Sequence, residues 1–98
     1  MTTFDERIEI IANHYGFEAQ AENSIEEMAE LIVEIKHMKQ GLTSQNFQNF
    51  VEELADVKIM IDQLYLLANF DGDIGKEITR KLERQLKRID EDKKRCQK

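Results

Sequence analysis

Apolar residues recur every three or four positions along almost the whole chain, and no proline interrupts them. This spacing places apolar side chains on one side of an α-helix, whereas a half-buried strand would alternate them every second residue. The interruptions are Gly16, the segment 41–44 and the segment 71–73. Glycine and short polar residues of this kind end helices and form turns. The sequence therefore predicts an all-α, up-down bundle of about four helices.

The interruptions also give approximate bounds for the four helices. The first is predicted from Thr3 to Tyr15, the second from about Ala19 to Gln40, the third from about Gln45 to Asn69, and the fourth from Ile74 onward. Each has an apolar stripe that is predicted to face the core. On the last three helices the stripes are Ile25, Met28, Leu31, Ile32, Ile35 and Met38; Phe47, Phe50, Leu54, Val57, Ile61, Leu64 and Tyr65; and Ile78, Leu82, Leu86 and Ile89. Residues 90–98 are almost all charged or polar, so we expect a solvated, disordered tail there.

The length of 98 residues suits a single helical domain. A chain of this size buries only roughly 60 to 68 per cent of its unfolded surface, so we expect association between copies to complete the bundle. The net charge of -6 and the pI near 4.9 argue against nucleic acids and anionic membranes as partners.

The N-terminal residues and the cysteine content bear on localisation. Asp5, Glu6 and Arg7 leave no apolar core for a signal peptide, and no run of about 18 apolar residues is long enough to span a membrane. Cys96 is the only cysteine, so no internal disulfide can form. We expect a soluble, cytoplasmic protein.

Two short acidic clusters, 26–30 and 52–56, stand inside strongly apolar helices. Each contains two carboxylates three residues apart, Glu27 with Glu30 and Glu53 with Asp56, and this spacing puts both on one face of a helix. At about 100° per residue, Glu53 falls within the apolar arc of its helix and Asp56 at the edge of that arc. A carboxylate in such an arc is costly to bury unless it is paired or binds a metal.

The two acidic pairs are predicted to meet. The short connection at 41–44 makes the second and third helices antiparallel neighbours. Glu30 precedes this connection by about 11 residues and Glu53 follows it by about 11, which places them at similar height. Four carboxylates at close range repel one another, and hard divalent cations bound through oxygen relieve that repulsion. The sequence therefore predicts a Mg²⁺ site, with Mn²⁺ as the alternative ion.

Other interpretations of these residues stay open. Glutamates on helices are commonly solvated, and an acidic helical adaptor that binds proteins without catalysis would carry the same pattern. Ser24 and Glu27 have the spacing of a capping box, which would begin a helix there. Glu26 and Glu34 are candidates for a supporting role beside the site.

The residues Glu27-x-x-Glu30 and Glu53-x-x-Asp56, separated by 22 residues, give the chain a resemblance to a known family. From Phe4 to Ile89 it resembles the MazG-like members of the all-α nucleoside triphosphate pyrophosphohydrolase superfamily. The resemblance implies a Mg²⁺-dependent hydrolase that cleaves nucleoside triphosphates between the α and β phosphates, with these four carboxylates as metal ligands. It also implies a homodimer or homotetramer with the site near a subunit interface. Phosphoribosyl-ATP, which related folds hydrolyse, is an alternative substrate.

Within this hypothesis Glu30 and Glu53 are the catalytic candidates. Mg²⁺ held by a few carboxylates keeps positions open for phosphate oxygens and for water. Glu30 is the candidate to orient that water or to accept its proton.

Cationic and aromatic side chains are the candidates for substrate contacts. Lys81 and Arg84, one turn apart beside the apolar stripe of the fourth helix, are candidates for binding phosphate, although a solvated basic face would look the same. Tyr15, Phe17 or Phe47 is a candidate for stacking on the base, although aromatic residues at helical spacing more often belong to the core.

Overall fold

The structure, a computed structural model, describes residues 5–96. Within this range the chain forms three α-helices, α1 (Glu6–Gln40), α2 (Ser44–Ala68) and α3 (Asp73–Cys96), with a 3-10 turn at Phe70–Gly72 between the last two. The described residues contain no strand. The all-α prediction is confirmed.

Helix α1 covers both of the helices that the sequence predicts before residue 41. At Gly16 the backbone leaves the helical region, with φ 84° and ψ 170°, a combination that glycine adopts readily because it lacks a Cβ atom. Gly16 thus interrupts the helix as predicted, but it does not open a loop between two separate helices. The predicted start at Thr3 lies outside the described residues. In the structure Asp5 caps α1, and its Oδ1 accepts a hydrogen bond from the backbone N–H of Arg7 at 3.0 Å.

Two side chains secure the turn between α1 and α2. Thr43 caps α2, because its Oγ1 accepts a hydrogen bond from the backbone N–H of Asn46 at 3.1 Å. The side-chain amide of Asn46 in turn donates to the carbonyl oxygen of Gly41 at 2.7 Å. These bonds satisfy backbone groups at the end of one helix and the start of the next. The two helices form an antiparallel hairpin, in which Gln20 meets Gln63 far from the turn.

The arc that α1 and α2 bury against each other is narrow and partly polar. Gln20 and Gln63 are almost fully buried, and Nε2 of Gln20 donates to Oε1 of Gln63 at 2.6 Å. Ser24, also buried, donates from Oγ to the carbonyl oxygen of Ala21 at 2.7 Å. The bonds satisfy these buried polar groups in the way that helix interfaces require. The buried apolar residues of the described chain are Ala12, Val57 and Met60.

Part of the apolar stripe predicted to face the core of α1 is exposed. Leu31 and Met38 are half-buried. Four other members of the stripe lie on one flank of the buried arc and remain in contact with solvent. This group, called the α1 stripe below, consists of Ile25, Met28, Ile32 and Ile35.

The same correction applies to α2. Val57 is buried, and Phe50 and Leu64 are half-buried. The α2 stripe, also predicted to face inward but exposed, consists of Phe47, Leu54, Ile61 and Tyr65. The arc that the two helices bury against each other is narrower than the apolar arc of either one. Because the helices are antiparallel, a step of about 100° per residue places both stripes on the same side of the hairpin.

A second compact unit begins at Asn69. Asn69 caps α3, since its Oδ1 accepts a hydrogen bond from the backbone N–H of Ile74 at 3.0 Å. Asp73 is the first residue of the helix. Helix α3 continues to Cys96, so the tail predicted at 90–98 is helical as far as it is described. Its predicted apolar stripe is exposed and consists of Ile78, Leu82, Leu86 and Ile89.

In the part of the chain that the structure describes, no helix combines the length and the apolar character needed to cross a membrane.

Candidate metal centre

Three of the four predicted metal ligands converge. Glu27 and Glu30 on α1 and Glu53 on α2 each place one carboxylate oxygen so that the three atoms lie within 4.8 Å of one another. The first two come from consecutive turns of one helix, and the third reaches them across the hairpin. Glu30 and Glu53 stand at equal distances from the turn, so the short connection fixes the register that brings them together.

Asp56 stands at the edge of this group. It is exposed, but its negative charge contributes to raising the pKa of both Glu27 and Glu53. A charge acts in this way only at short range. We therefore count Asp56 as the fourth member of the acidic cluster, which consists of Glu27, Glu30, Glu53 and Asp56.

Two oxygens of the acidic cluster are buried without a hydrogen-bond partner among the described residues. They are Oε2 of Glu27 and Oε2 of Glu53, one on each helix. Buried polar atoms in folded proteins nearly always have a partner, and each exception calls for an explanation such as an absent ion or water. The two atoms belong to the same cluster, so one ligand would explain both.

Burial and mutual repulsion shift the titration of these two groups. Desolvation is the largest cause that raises the pKa of Glu27 above its ordinary value of 4.5, followed by the negative charges of Glu30 and Asp56. Desolvation is also the largest cause for Glu53, and its contact with Glu30 raises the pKa further. Both shifts have the same meaning, namely that the site disfavours the anionic form and would be relieved by a proton or by a cation.

Within the hairpin, residues 5–68, no basic side chain pairs with the acidic cluster. The ion pairs closest in sequence are Glu34 with His37 at 3.4 Å and Lys58 with Asp62 at 2.6 Å. In each of them the acid lies outside the cluster. Lysine or arginine neutralises acidic clusters in many proteins, but none does so within this hairpin.

The donor set fits a hard divalent cation. All donors are carboxylate oxygens, the ligands that Mg²⁺ and Mn²⁺ prefer. Two oxygens bound to one Mg²⁺ lie at most about 4.2 Å apart, twice a metal–oxygen distance of roughly 2.1 Å. The 4.8 Å limit on the present spread is close to that value, so small side-chain rotations would bring the three oxygens around one ion.

The residues proposed in supporting roles differ in position. Glu34 lies one turn beyond Glu30, and its side chain, 16% exposed, contacts Nδ1 of His37. Glu26 is exposed. The capping-box interpretation of Glu27 is wrong, because no helix begins at Ser24: it lies inside α1, well after the interruption at Gly16, and donates to the carbonyl oxygen of Ala21.

Sequence reasoning missed the polar pair behind the cluster, Gln20 with Gln63. A signal was present, because both glutamines stand at the same distance from the turn and lie on the inward arcs of their helices. Their hydrogen bond holds the register that Glu30 and Glu53 require.

The candidates for substrate contact are exposed. Lys81 and Arg84 lie on α3 and are open to solvent. Tyr15, Phe17 and Phe47 are each more than half exposed, so none of the three belongs to the core that aromatic residues at helical spacing usually form. Contact of these five residues with phosphate or base stays a prediction.

Comparison of the chain with protein families, with curated proteins and with solved structures gives no match.

Proposed function

We propose that the protein is a Mg²⁺-dependent nucleoside triphosphate pyrophosphohydrolase, which converts (d)NTP and water to (d)NMP and pyrophosphate. One observation carries the proposal: three carboxylates converge within 4.8 Å, and two of them hold a buried oxygen that no described residue binds. The proposed family is the MazG-like group that the sequence resembles through Glu27-x-x-Glu30 and Glu53-x-x-Asp56.

The acidic cluster would hold the metal. When bound there, Mg²⁺ supplies positive charge to the phosphate oxygens and lowers the pKa of a water molecule. An acidic protein needs such an intermediary, since four carboxylates alone would repel a triphosphate.

The carboxylates of the cluster have different tasks in this proposal. Glu27 and Glu53 hold fixed positions, because each is partly buried in the hairpin. Glu30 is exposed, so its carboxylate can reach a water molecule outside the cluster and accept its proton. The water oxygen bonds to one phosphorus of the α–β anhydride while the bond from that phosphorus to the bridging oxygen breaks. The products are the nucleoside monophosphate and pyrophosphate, and Glu30 holds the proton taken from the water.

Other parts of the chain would bind the rest of the nucleotide. Lys81 and Arg84 are proposed to contact phosphate oxygens as charged donors, and an exposed aromatic residue, Tyr15, Phe17 or Phe47, is proposed to stack on the base. We propose a cytoplasmic homodimer or homotetramer that removes unwanted nucleotides. Nucleic acids and membranes are not among its proposed partners.

The adaptor function is the alternative. It requires a neutralised cluster, in which Glu53 pairs with a basic side chain such as Lys81 or Arg84. Within the hairpin, residues 5–68, no ion pair includes Glu53 or any other member of the cluster, so the hairpin itself leaves the negative charge of the cluster uncompensated. This observation favours the metal-dependent enzyme.

The decisive experiment is an assay of pyrophosphate release from a panel of ribo- and deoxyribonucleoside triphosphates and phosphoribosyl-ATP. Mg²⁺, Mn²⁺ and EDTA are compared for each substrate. We expect release from at least one triphosphate with Mg²⁺ and none with EDTA. No release from any substrate with either metal contradicts the proposal, and release from phosphoribosyl-ATP alone would replace its substrate.

A further inference from the structure

Three side-chain amides are linked from the buried arc of the hairpin to its surface. Nε2 of Gln20 donates a hydrogen bond to Oε1 of Gln63 at 2.6 Å, and Nδ2 of Asn23 donates one to Oε1 of Gln20 at 2.8 Å. Both glutamines are almost fully buried, whereas Asn23 is exposed. These three residues, called the amide network below, connect the interior of the hairpin to solvent.

The sulfur of Met60 determines the orientation of the amide network. A thioether sulfur accepts a hydrogen bond but cannot donate one, and Nε2 of Gln63 donates to Sδ of Met60 at 3.8 Å. Oε1 of Gln63 therefore faces Gln20, which turns its own Nε2 towards Gln63 and its Oε1 towards Asn23. The reverse orientation of all three amides would bring the oxygen of Gln63 against the sulfur and leave a buried acceptor without a donor.

This orientation leaves a hydrogen-bond acceptor at the surface. Asn23 uses Nδ2 in the bond to Gln20, so its Oδ1 faces outward, and within the hairpin, residues 5–68, that oxygen accepts no hydrogen bond. An asparagine amide without such a bond presents either its oxygen or its nitrogen by rotating about χ2. Here the rotation would set the oxygen of Asn23 against the oxygen of Gln20. The exposed group is therefore a fixed acceptor, which favours a ligand with an N–H or O–H donor.

Asn23 lies on the same side of α1 as the acidic cluster and opposite the α1 stripe. At about 100° and about 1.5 Å per residue, it falls between Glu27 and Glu30 around the helix and about 6 Å from Glu27 along the axis. The other direction along α1 leads to the carboxylate of Glu34, which contacts His37. A nucleotide whose phosphates lie at the cluster therefore meets a neutral acceptor only on the side of Asn23.

An exposed apolar side chain stands beside Asn23. The hydrogen bond between Gln20 and Gln63 shows the register of the two helices, and in this register Ile59 of α2 is level with Asn23 to within one residue. Ile59 is 43% exposed and lies one turn after Asp56, on the side of the acidic cluster. An apolar surface next to one fixed polar group suits the flat ring of a nucleobase that carries a donor at its edge.

We propose that Asn23 selects nucleotides whose base carries an exocyclic amino group, such as cytosine and adenine, over bases that lack a donor at that position. The amino group donates a hydrogen bond to Oδ1 of Asn23, and a base without it leaves this acceptor unpaired. Gln20 and Gln63 are positioning residues, because they hold the orientation of Asn23 without touching the ligand. The inference rests on the proposed function for the placement of the phosphates at the acidic cluster.

CTP and pyrimidin-2-one ribonucleoside triphosphate are matched probes, because the second differs only in having hydrogen in place of the amino group. Pyrophosphate release with Mg²⁺ gives kcat/KM for each. We expect the wild type to prefer CTP on the order of tenfold and Asn23→Ala to lower this preference to less than about threefold, mainly through KM for CTP. Glu22→Ala is the control, since Glu22 is adjacent and exposed, and it should keep the preference of the wild type.

A binding measurement separates this inference from the enzymatic proposal. CMP and the corresponding pyrimidin-2-one monophosphate contain no anhydride, so their dissociation constants with Mg²⁺ report selectivity without turnover. If the protein hydrolyses no triphosphate but prefers CMP, and Asn23→Ala removes that preference, the proposed function is wrong and the selectivity remains. A wild type that shows no preference for the amino base in either measurement overturns the inference, even if it hydrolyses both triphosphates.

The positioning role has its own readout. In the double variant Gln20→Leu, Gln63→Leu the amide of Asn23 is free to rotate, so we expect most of the preference for CTP to be lost although Asn23 is unchanged. A purely structural role would change kcat/KM for the two probes equally. Asn23→Asp presents an acceptor in either orientation and should keep the preference, whatever its charge does to KM for both probes. A double variant with the preference of the wild type shows that the glutamines do not orient Asn23.

The base and the sugar are distinguished by a further pair of substrates. Both groups offer donors, but CTP and dCTP carry the same base and differ in the 2′-hydroxyl. We expect Asn23→Ala to lower kcat/KM for CTP and for dCTP by the same factor, on the order of tenfold. A loss confined to CTP would assign the contact to the ribose hydroxyl and overturn selection by the base.

Discussion

Glu27 and Glu53 face each other across the hairpin, and each holds its Oε2 atom buried without a hydrogen-bond partner among the described residues. They belong to different helices, so the arrangement depends on the register of the hairpin as much as on the residues themselves. A carboxylate oxygen of Glu30, an exposed residue, completes the set from the next turn of α1. The chemistry of the cluster and the stability of the hairpin that carries it can therefore be changed by different substitutions.

Replacing Glu53 by Gln should abolish pyrophosphate release. The variant keeps the size of the side chain but removes the charge that would hold the metal, so we expect a loss of at least about 100-fold in kcat/KM. Glu52→Gln is the matched control, because Glu52 is adjacent and exposed outside the cluster. Circular dichroism should show both variants folded. Full Mg²⁺-dependent turnover by Glu53→Gln would remove Glu53 from the site.

Acidification should stabilise the metal-free protein. The pKa values of Glu27 and Glu53 are raised in the folded state above the ordinary value of 4.5. Their contribution to the free energy of unfolding is therefore fully present below pH 4.5 and is lost as the pH rises through the folded-state pKa. In EDTA we expect a higher Tm at pH 5 than at pH 7. The pKa of Asp5, lowered to about 2, does not oppose this trend, because Asp5 loses its own contribution only at lower pH.

Mg²⁺ should reverse that pH dependence. The ion binds the ionised carboxylates, so at pH 7 it stabilises the folded protein, whereas at pH 5 protons compete with it. The measurement is Tm at both pH values with Mg²⁺ and with EDTA. A variant with Glu27→Gln and Glu53→Gln should show neither the gain on acidification nor the gain on adding Mg²⁺. An equal response from that variant and from the wild type would place the titrating groups elsewhere.

The meeting of the acidic pairs could be predicted because one short turn fixes the register of the two helices. Glu30 and Glu53 are equally far from the turn along the chain, so in an antiparallel hairpin they lie at the same height on adjacent helices. The buried arc could not be predicted as reliably. Apolar periodicity shows which residues of α2 share a side, but it does not show how wide an arc the neighbouring helix covers. Leu54 and Ile61 therefore appear in the sequence as core residues, although the structure leaves both exposed.

Replacing Gln63 by Leu should destabilise the hairpin. Nε2 of Gln20 would lose the acceptor that it contacts at 2.6 Å and would stay buried, which costs about 1 to 3 kcal/mol. The double variant Gln20→Leu, Gln63→Leu should lose less than the single variant, since neither buried amide remains. Asn23, which donates to Oε1 of Gln20, is exposed and can bond to water instead. Urea unfolding of Gln20→Leu, Gln63→Leu, the double variant and the wild type completes the cycle. A double variant less stable than Gln63→Leu would show that the amide contact is not the source of the effect.

Replacing Gly16 by Ala should also destabilise the chain. With φ 84° and ψ 170°, Gly16 occupies a region that other residues adopt at a cost of about 1 to 3 kcal/mol. The space around it is open, since apart from the adjoining backbone no atom lies within 4 Å of an added Cβ, so the penalty comes from backbone conformation. Gly41→Ala is the matched control. Gly41 also has open space but an extended backbone, with φ -173°, and its replacement should have little effect on the free energy of unfolding.

Charge reversal at Lys81 distinguishes a substrate contact from a solvated basic face. Lys81→Glu would replace a cation with an anion at the phosphates, and we expect KM for the triphosphate to rise about tenfold or more while kcat changes less. Lys87→Glu is the control, because Lys87 is equally exposed on α3 and carries the same charge. If Lys81→Glu changes only the overall electrostatic field of the protein, the rise in KM should become smaller at high salt. Salt screens long-range attraction strongly but weakens a direct contact much less. If KM is the same for Lys81→Glu and for the wild type, Lys81 belongs to the solvated face and the phosphate must be bound by other groups.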